Sequence, residues 1–401
     1  MLLFLAACRK EEFQQAPHGE PIPYTDTVRH DLQSLLGMTQ NKLFYAAWQK
    51  SHMNELIASQ SASVRYTILA PDDAAMQAAG LDAAGIAAQS PEQLDSLLRY
   101  HVIDEQLDTL TLRMQKGNVR RKSLLYHPSL MENINSLGSN VTTPTPYNYR
   151  LFIGMKGGNL LVNGKIAGNA HPSYATNGLI WPVNRVLLRP SENIKDLLQR
   201  DPRFSMLAAL LHQTDSIWQE VSMGAFERRY FVKLTPGQYD NVITSEAFFA
   251  PTNEAFHHAG FNTVDDLMKL NARSMPFVDW DNAIMVNGFV TDTLLNYNVW
   301  GRMWAPTGTW GTGPESSAVF YSNELNNNVL SGFALNGTDG AIPPYIMPLD
   351  FSVTGDGKIS LRPKGSTHEP AVITEADINT FQGPVHVIDH LLIPQHLRLN
   401  D

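Results

Sequence analysis

The feature that most constrains this 401-residue chain is that it repeats itself. Tyr66-Thr67-Ile68-Leu69-Ala70-Pro71-Asp72-Asp73-Ala74-Ala75-Met76 aligns with Glu246-Ala247-Phe248-Phe249-Ala250-Pro251-Thr252-Asn253-Glu254-Ala255-Phe256, so that Pro71 and Pro251 stand 180 residues apart. Each copy reads as a short apolar β-type run, then Ala-Pro, then an Asp or Thr/Asn that opens a helix. A second pair closes each unit: Thr176 to Leu188, with Gly178 before an alternating strand, and Phe381 to Leu392, with Gly383 in the same place. A glycine turn followed by alternating apolar residues describes a half-buried closing strand. Internal repetition of this kind fixes the architecture before any single element is assigned.

Upstream of each first block lies a helical pattern, carried by Leu43, Phe44, Ala47, Trp48, Met53 and Leu56 in one unit and by Phe204, Leu207, Ala208, Leu211 and Ile217 in the other. The strand-Ala-Pro-cap block, followed about a hundred residues later by the Asn177-Gly178 strand or its Gly383 counterpart, resembles the fasciclin domain. The resemblance runs from about Asp31 to Pro394. It implies an α+β fold of two fasciclin-like domains, each a compact β-sheet wedge or sandwich flanked by α-helices. The expected divisions are a signal-peptide remnant at 1–7, a lipidated cysteine and flexible tether at 8–29, a first domain at 30–190 and a second at 191–396. Gly178 and Gly383 are 205 residues apart, so the second unit is 25 residues longer between its anchors than the first. That excess is expected in a Trp/Asn/Gly-rich insertion around 297–349, where turn signals are dense.

Leu94, Leu97 and Leu98 precede Tyr100-His101-Val102-Ile103, which looks like the family's central Tyr-His stretch. In animal relatives this Tyr-His pair is linked to integrin recognition, which makes Tyr100 and His101 ligand-binding candidates. The competing structural expectation is a tyrosine packed in the core beside a hydrogen-bonded histidine. The expected counterpart in the second unit is Asn287-Gly288, with Asn296-Tyr297-Asn298-Val299 as the alternative register.

The N-terminal run Met1 to Ala7 ends on two small residues before Cys8, and resembles a bacterial lipobox. Lys10-Glu11-Glu12 just beyond it is similar to the surface-export signal of Bacteroidota lipoproteins. The resemblance implies a lipid anchor on Cys8 and an outer-membrane protein facing the cell exterior. Phe13 to Tyr24, with Pro17, Gly19, Pro21 and Pro23, has the composition of a tether. Cys8 is the one cysteine, which excludes an intramolecular disulfide and any metal site with two thiolates. Thirty basic against thirty-nine acidic residues give a net charge of −9 with no concentrated basic stretch, so nucleic acid is not an expected partner.

An enzyme reading finds little to build on. HExxH, P-loop, GxSxG and GxGxxG motifs are absent from the sequence, and no cofactor is expected. His257 and His258 are adjacent, so on a helix their rings point about 100° apart and cannot share a metal. Gly355-Asp356-Gly357-Lys358 reads as a hairpin turn, and Asp72-Asp73 as helix caps. The remaining candidates are aromatic. Trp300, Trp304 and Trp310 fall within eleven residues, with Tyr297, Phe320 and Tyr321 nearby and Asn323, Asn326, Asn327 and Asn328 beyond. Such a platform stacks sugar rings while amides bond their hydroxyls; the alternative is a loop that packs on itself. The expected function is therefore non-catalytic adhesion or accessory binding of polysaccharide or another cell-surface protein. The alternatives are a structural subunit docking to an outer-membrane uptake complex, and a glycan-active hydrolase with carboxylates converging from distant segments.

Overall fold

The computed structural model describes residues 28–135, 142–169, 171–224, 246–281, 284–301, 319–331, 334–335 and 345–399. Two sheet-and-helix units follow one another along the chain, which is the α+β class expected. In the first, eight strands are β1 (Tyr66–Pro71), β2 (Val102–Ile103), β3 (Val119–Asn135), β4 (Thr142–Lys156), β5 (Asn159–Val162), β6 (Lys165–Asn169), β7 (Ser173–Ala175) and β8 (Gly178–Val183). They form one sheet in the order β6-β5-β4-β3-β2-β1-β8-β7. The second unit contains β9 (Glu246–Pro251), the hairpin β10 (Phe277–Asp279) and β11 (Ile284–Val286), β12 (Val299–Gly301), the short pair β13 (Ala334–Leu335) and β14 (Tyr345–Ile346), then β15 (Leu349–Val353), β16 (Ile359–Pro363), β17 (Ala371–Asn379) and β18 (Pro384–Ile388). Its main sheet runs β12-β9-β18-β17-β16-β15.

The two repeated blocks of sequence are neighbours in space. β1 pairs in parallel with β8, and β9 with β18, so the opening and closing strands of each unit lie side by side at the sheet centre. Central strands are buried on both faces, which is why they read as continuous apolar runs. Tyr66, Ile68 and Ala70 point into one hydrophobic cluster with the helices Lys42–Lys50 and Pro91–Tyr100, while Leu69 joins Trp181 and Leu179 in the opposite cluster. Phe248 and Ala250 repeat this against the helix Ser205–Val221, with Ala247 and Phe249 on the other face. Gly178 is required where the parallel strands meet: a Cβ there would lie 2.1 Å from the Tyr66 carbonyl oxygen.

The paired polar residues after Ala-Pro do two jobs. Asp72 accepts the Ala75 N–H and Thr252 accepts the Ala255 N–H, each capping its own helix. The next residue caps the helix upstream: Asp73 accepts the Leu43 N–H at 2.8 Å, and Asn253 accepts the Met206 N–H at 3.0 Å. One dipeptide thereby satisfies free N–H groups of two helices and locks the upstream helix to the strand end.

The expected Asn287-Gly288 register is not the one adopted. Val102 pairs with Ile68, and Val299 pairs with the equivalent Phe248; Leu69 N–H donates to the His101 carbonyl as Phe249 N–H donates to that of Asn298. Tyr297-Asn298 thus occupies the place of Tyr100-His101. The physical reason is that Asn287 sits at φ +63 just past β11, which among the described residues pairs only with β10, leaving β12 free to take the edge of the main sheet. Pro71 to Val102 spans 31 residues and Pro251 to Val299 spans 48, so most of the extra length precedes β12.

Candidate functional site

The Tyr-His pair ends the helix Pro91–Tyr100, whose start is fixed by a Ser90/Gln93 capping box. Both residues are buried, Tyr100 at 1% and His101 at 0% exposure. The His101 Nδ1 donates to the Leu97 carbonyl at 2.9 Å, and its Nε2 accepts the Leu187 N–H at 2.9 Å. This arrangement requires a neutral ring, and burial pushes its pKa down to about 4. His101 therefore ties the helix end to the segment after β8. Tyr100 points the other way, toward the second unit. Its hydroxyl accepts from Asn163 Nδ2 at 3.3 Å, and burial holds its pKa well above the ordinary tyrosine value.

Tyr321 comes from the second unit. It is buried, donates its hydroxyl to Asn379 Oδ1 at 2.8 Å, and packs its ring 5.0 Å from that of Phe152. Tyr297 is half-buried. Trp300 pairs through its backbone with Ala247 in β12. Trp304, Trp310 and Cys8 lie outside the described residues.

Around Tyr321 the junction is polar and buried, with residues that carry no recognisable motif. Glu324 is 6% exposed; its Oε1 accepts the Asn118 N–H at 2.8 Å, and its Oε2 accepts Asn118 Nδ2 at 2.7 Å and the Tyr321 N–H at 3.2 Å. Burial nonetheless raises its pKa to about 7, because three N–H donors do not replace bulk water and the Asp377 charge opposes ionisation further. Asp377, at φ +62, accepts the Ser322 N–H at 2.8 Å and the Ser322 hydroxyl at 2.5 Å. Behind it, the buried His386 donates Nε2–H to the Phe320 carbonyl at 2.9 Å and stacks on Phe249 at 5.5 Å. Phe381 completes the contact, its carbonyl accepting the Tyr147 hydroxyl at 3.1 Å and its ring lying 5.4 Å from His127. The sequence signal that was available is the spacing of Tyr321 and Glu324, a helical N-terminus with its acid at the third position. Its partner Asn118, 206 residues away, carries no such signal.

Beside this junction an open cleft of about 360 Å³ separates the units. The first unit contributes Lys165, Arg185 and the segment 186–188; the second contributes residues 375–379 of β17. A cleft of this size at a domain boundary is the ordinary location for a small ligand. Elsewhere, His258 and His390 lie 5.2 Å apart in a second depression with Glu369 and His368. Among the described residues no group of three or more His, Cys, Asp or Glu side chains is placed to hold a metal ion. None of the helices described is long and apolar enough to cross a membrane.

Comparison with known proteins places the family likeness in the first unit: residues 39–189 match the family model of the fasciclin domain. Among solved structures the chain is similar to the FAS1 domain pair of the insect cell adhesion molecule fasciclin I, at 14% identity and a TM-score of 0.31, with 89% of this chain and 98% of that chain covered. No curated protein matches. The second unit repeats the strand pairing and the double cap of the first, as described above.

Proposed function

We propose that this chain is a non-catalytic binding protein of the cell exterior, held to the outer membrane by a lipid on Cys8, that captures polysaccharide. The division into a tether at 8–29, a first domain at 30–190 and a second at 191–396 belongs to the same proposal. The observation that supports it most is the open cleft at the junction, because its walls come from both units and its floor adjoins a buried polar network that fixes their spacing. A shaped, pre-formed groove captures ligand without the ordering cost that a mobile site incurs. Trp300, Trp304 and Trp310, with Tyr297, are the proposed aromatic contacts for sugar rings.

The test is a calorimetric titration of the full chain against plant, host and microbial polysaccharides, with Trp300→Ala, Trp304→Ala and Trp310→Ala alongside. The expected result is binding of at least one glycan, weakened by about 1–3 kcal/mol in one variant without loss of stability. Silence across the panel refutes polysaccharide capture. A second reading, docking to a surface protein, draws on the hairpin β10–β11, where Met275 is 83% exposed and Phe277 and Trp280 are more than half exposed. Adjacent exposed apolar side chains of this size are characteristic of contact surfaces. Loss of co-purifying outer-membrane protein on Phe277→Ser would favour it.

A further inference from the structure

Charge is unevenly committed across the junction cleft. Its two carboxylates are occupied: Glu375 is held by Arg203 Nη1 at 2.9 Å, and Asp377 by the Ser322 N–H and hydroxyl. Its two cations have no anionic partner among the described residues. Arg185 spends Nη2 on the Ile166 carbonyl, its Nε is shielded without an acceptor, and burial lowers its pKa with no neighbouring charge to offset it. Lys165 is exposed on the same wall. A half-buried guanidinium loses hydration, and only an acceptor can restore what it loses. In a chain of net charge −9, these are two cations with no acid of their own among the described residues, facing acids that already have other partners.

The rest of the lining says what carries the acid. Val186 and Ile378 are half-buried, Leu188 is exposed, and the Asn379 amide lies beside them. Aliphatic strips next to hydrogen-bonding groups suit a saturated ring that bears hydroxyls, whereas a bare phosphate would use the cations and leave the strips uncovered. The volume admits a fragment of a few rings and no folded domain. The geometry points to a binding site for a carboxylate-bearing saccharide, a uronate unit of an acidic polysaccharide, with its carboxylate on Arg185 and Lys165 and its ring on Val186 and Ile378. This deepens the polysaccharide reading and rests on it. The bond that matters is a charge-assisted one between guanidinium and carboxylate, which geometry makes specific for a planar acid.

The experiment titrates the full chain with trigalacturonate and with its fully methyl-esterified, uncharged counterpart. The acid form is expected to bind at least tenfold more tightly than the ester. Arg185→Gln should weaken the acid form about tenfold or more and erase the difference from the ester. Lys165→Gln removes a charge from an exposed position, so it keeps the test sound if the arginine change disturbs the fold; it should weaken the acid form several-fold. Equal affinity for acid and ester, or unchanged affinity in both variants, overturns the site. So does a pentaglutamate peptide that competes as well as trigalacturonate, since the saccharide would then be irrelevant. If neutral glycans bind and trigalacturonate does not, this site falls while polysaccharide capture stands; if no glycan of either charge binds, capture itself falls and the site with it.

Discussion

Replacing Glu324 by Gln should abolish a pH dependence that this one carboxyl imposes on the junction. In the folded chain its pKa rises from 4.5 to about 7, chiefly through burial. An acid whose folded value lies above its unfolded value contributes stability that is complete below about pH 4.5 and is lost as pH rises through about 7. A displacement of that size amounts to about 3 kcal/mol between the two limits. Glutamine has nearly the same shape and never ionises; it keeps one acceptor oxygen, but its NH2 group faces N–H donors in place of the other oxygen, a cost that does not vary with pH. The assay is urea unfolding of the full chain and of Glu324→Gln at pH 5, 6, 7 and 8, followed by tryptophan fluorescence. Whatever the offset between the two at pH 5, the variant should gain about 2.5 kcal/mol on the parent between pH 5 and pH 8. Asn118→Ala removes the donor at 2.7 Å from Oε2 and should move the parent's loss of stability to lower cost at low pH and greater cost at high pH. Parallel pH profiles for parent and Glu324→Gln would refute the reasoning, because desolvation of this carboxylate could not then be a cost of folding.

Five further substitutions probe the frame that holds the cleft. Gly178→Ala forces a methyl group to within 2.1 Å of the Tyr66 carbonyl and should prevent the parallel pairing of β1 and β8, whereas Gly357→Ala, with open space around it at φ +83, should cost only about 1 kcal/mol by thermal unfolding. Trp218→Phe removes the indole N–H that donates to the buried Asp292 Oδ2 at 2.7 Å, and should destabilise the second unit by about 2 kcal/mol in urea titration. Thr252→Ala deletes a helix cap and should cost about 1 kcal/mol; Asn253→Ala should cost at least as much, because its side chain also serves Met206 N–H, the Pro202 carbonyl and the Ser205 hydroxyl.

The parts of the fold that local chemistry specifies were readable, and those made by distant polar partners were not. β1, β8, β9 and β18 announce themselves because strands buried on both faces must be apolar throughout, and the Ala-Pro-cap dipeptide recurs because it caps two helices at once. The register of the second unit misleads because Ile284-Met285-Val286 before Asn287 is a stronger β-type run than the three-residue β12, yet it pairs outside the main sheet. Tyr297-Asn298 therefore hides behind a better-looking candidate. The aromatic reading singled out Tyr321 as a ligand contact, and the structure places its ring against Phe152 and its hydroxyl on Asn379. Arg185 was visible only as an unremarkable residue of a closing strand. Its significance depends on which carboxylates stand opposite and what already holds them, and Glu375 enters 190 residues further along the chain. A partner 206 residues away, as Asn118 is from Glu324, leaves no periodicity to detect.

The most direct test of the central claim, capture of glycan in the cleft between the units, is amide hydrogen exchange of the full chain with and without a saturating glycan. Binding there predicts slowed exchange in both walls together, at 185–188 and at 375–379. Unchanged exchange in both segments while the glycan is bound would contradict the account and move the site elsewhere on the chain.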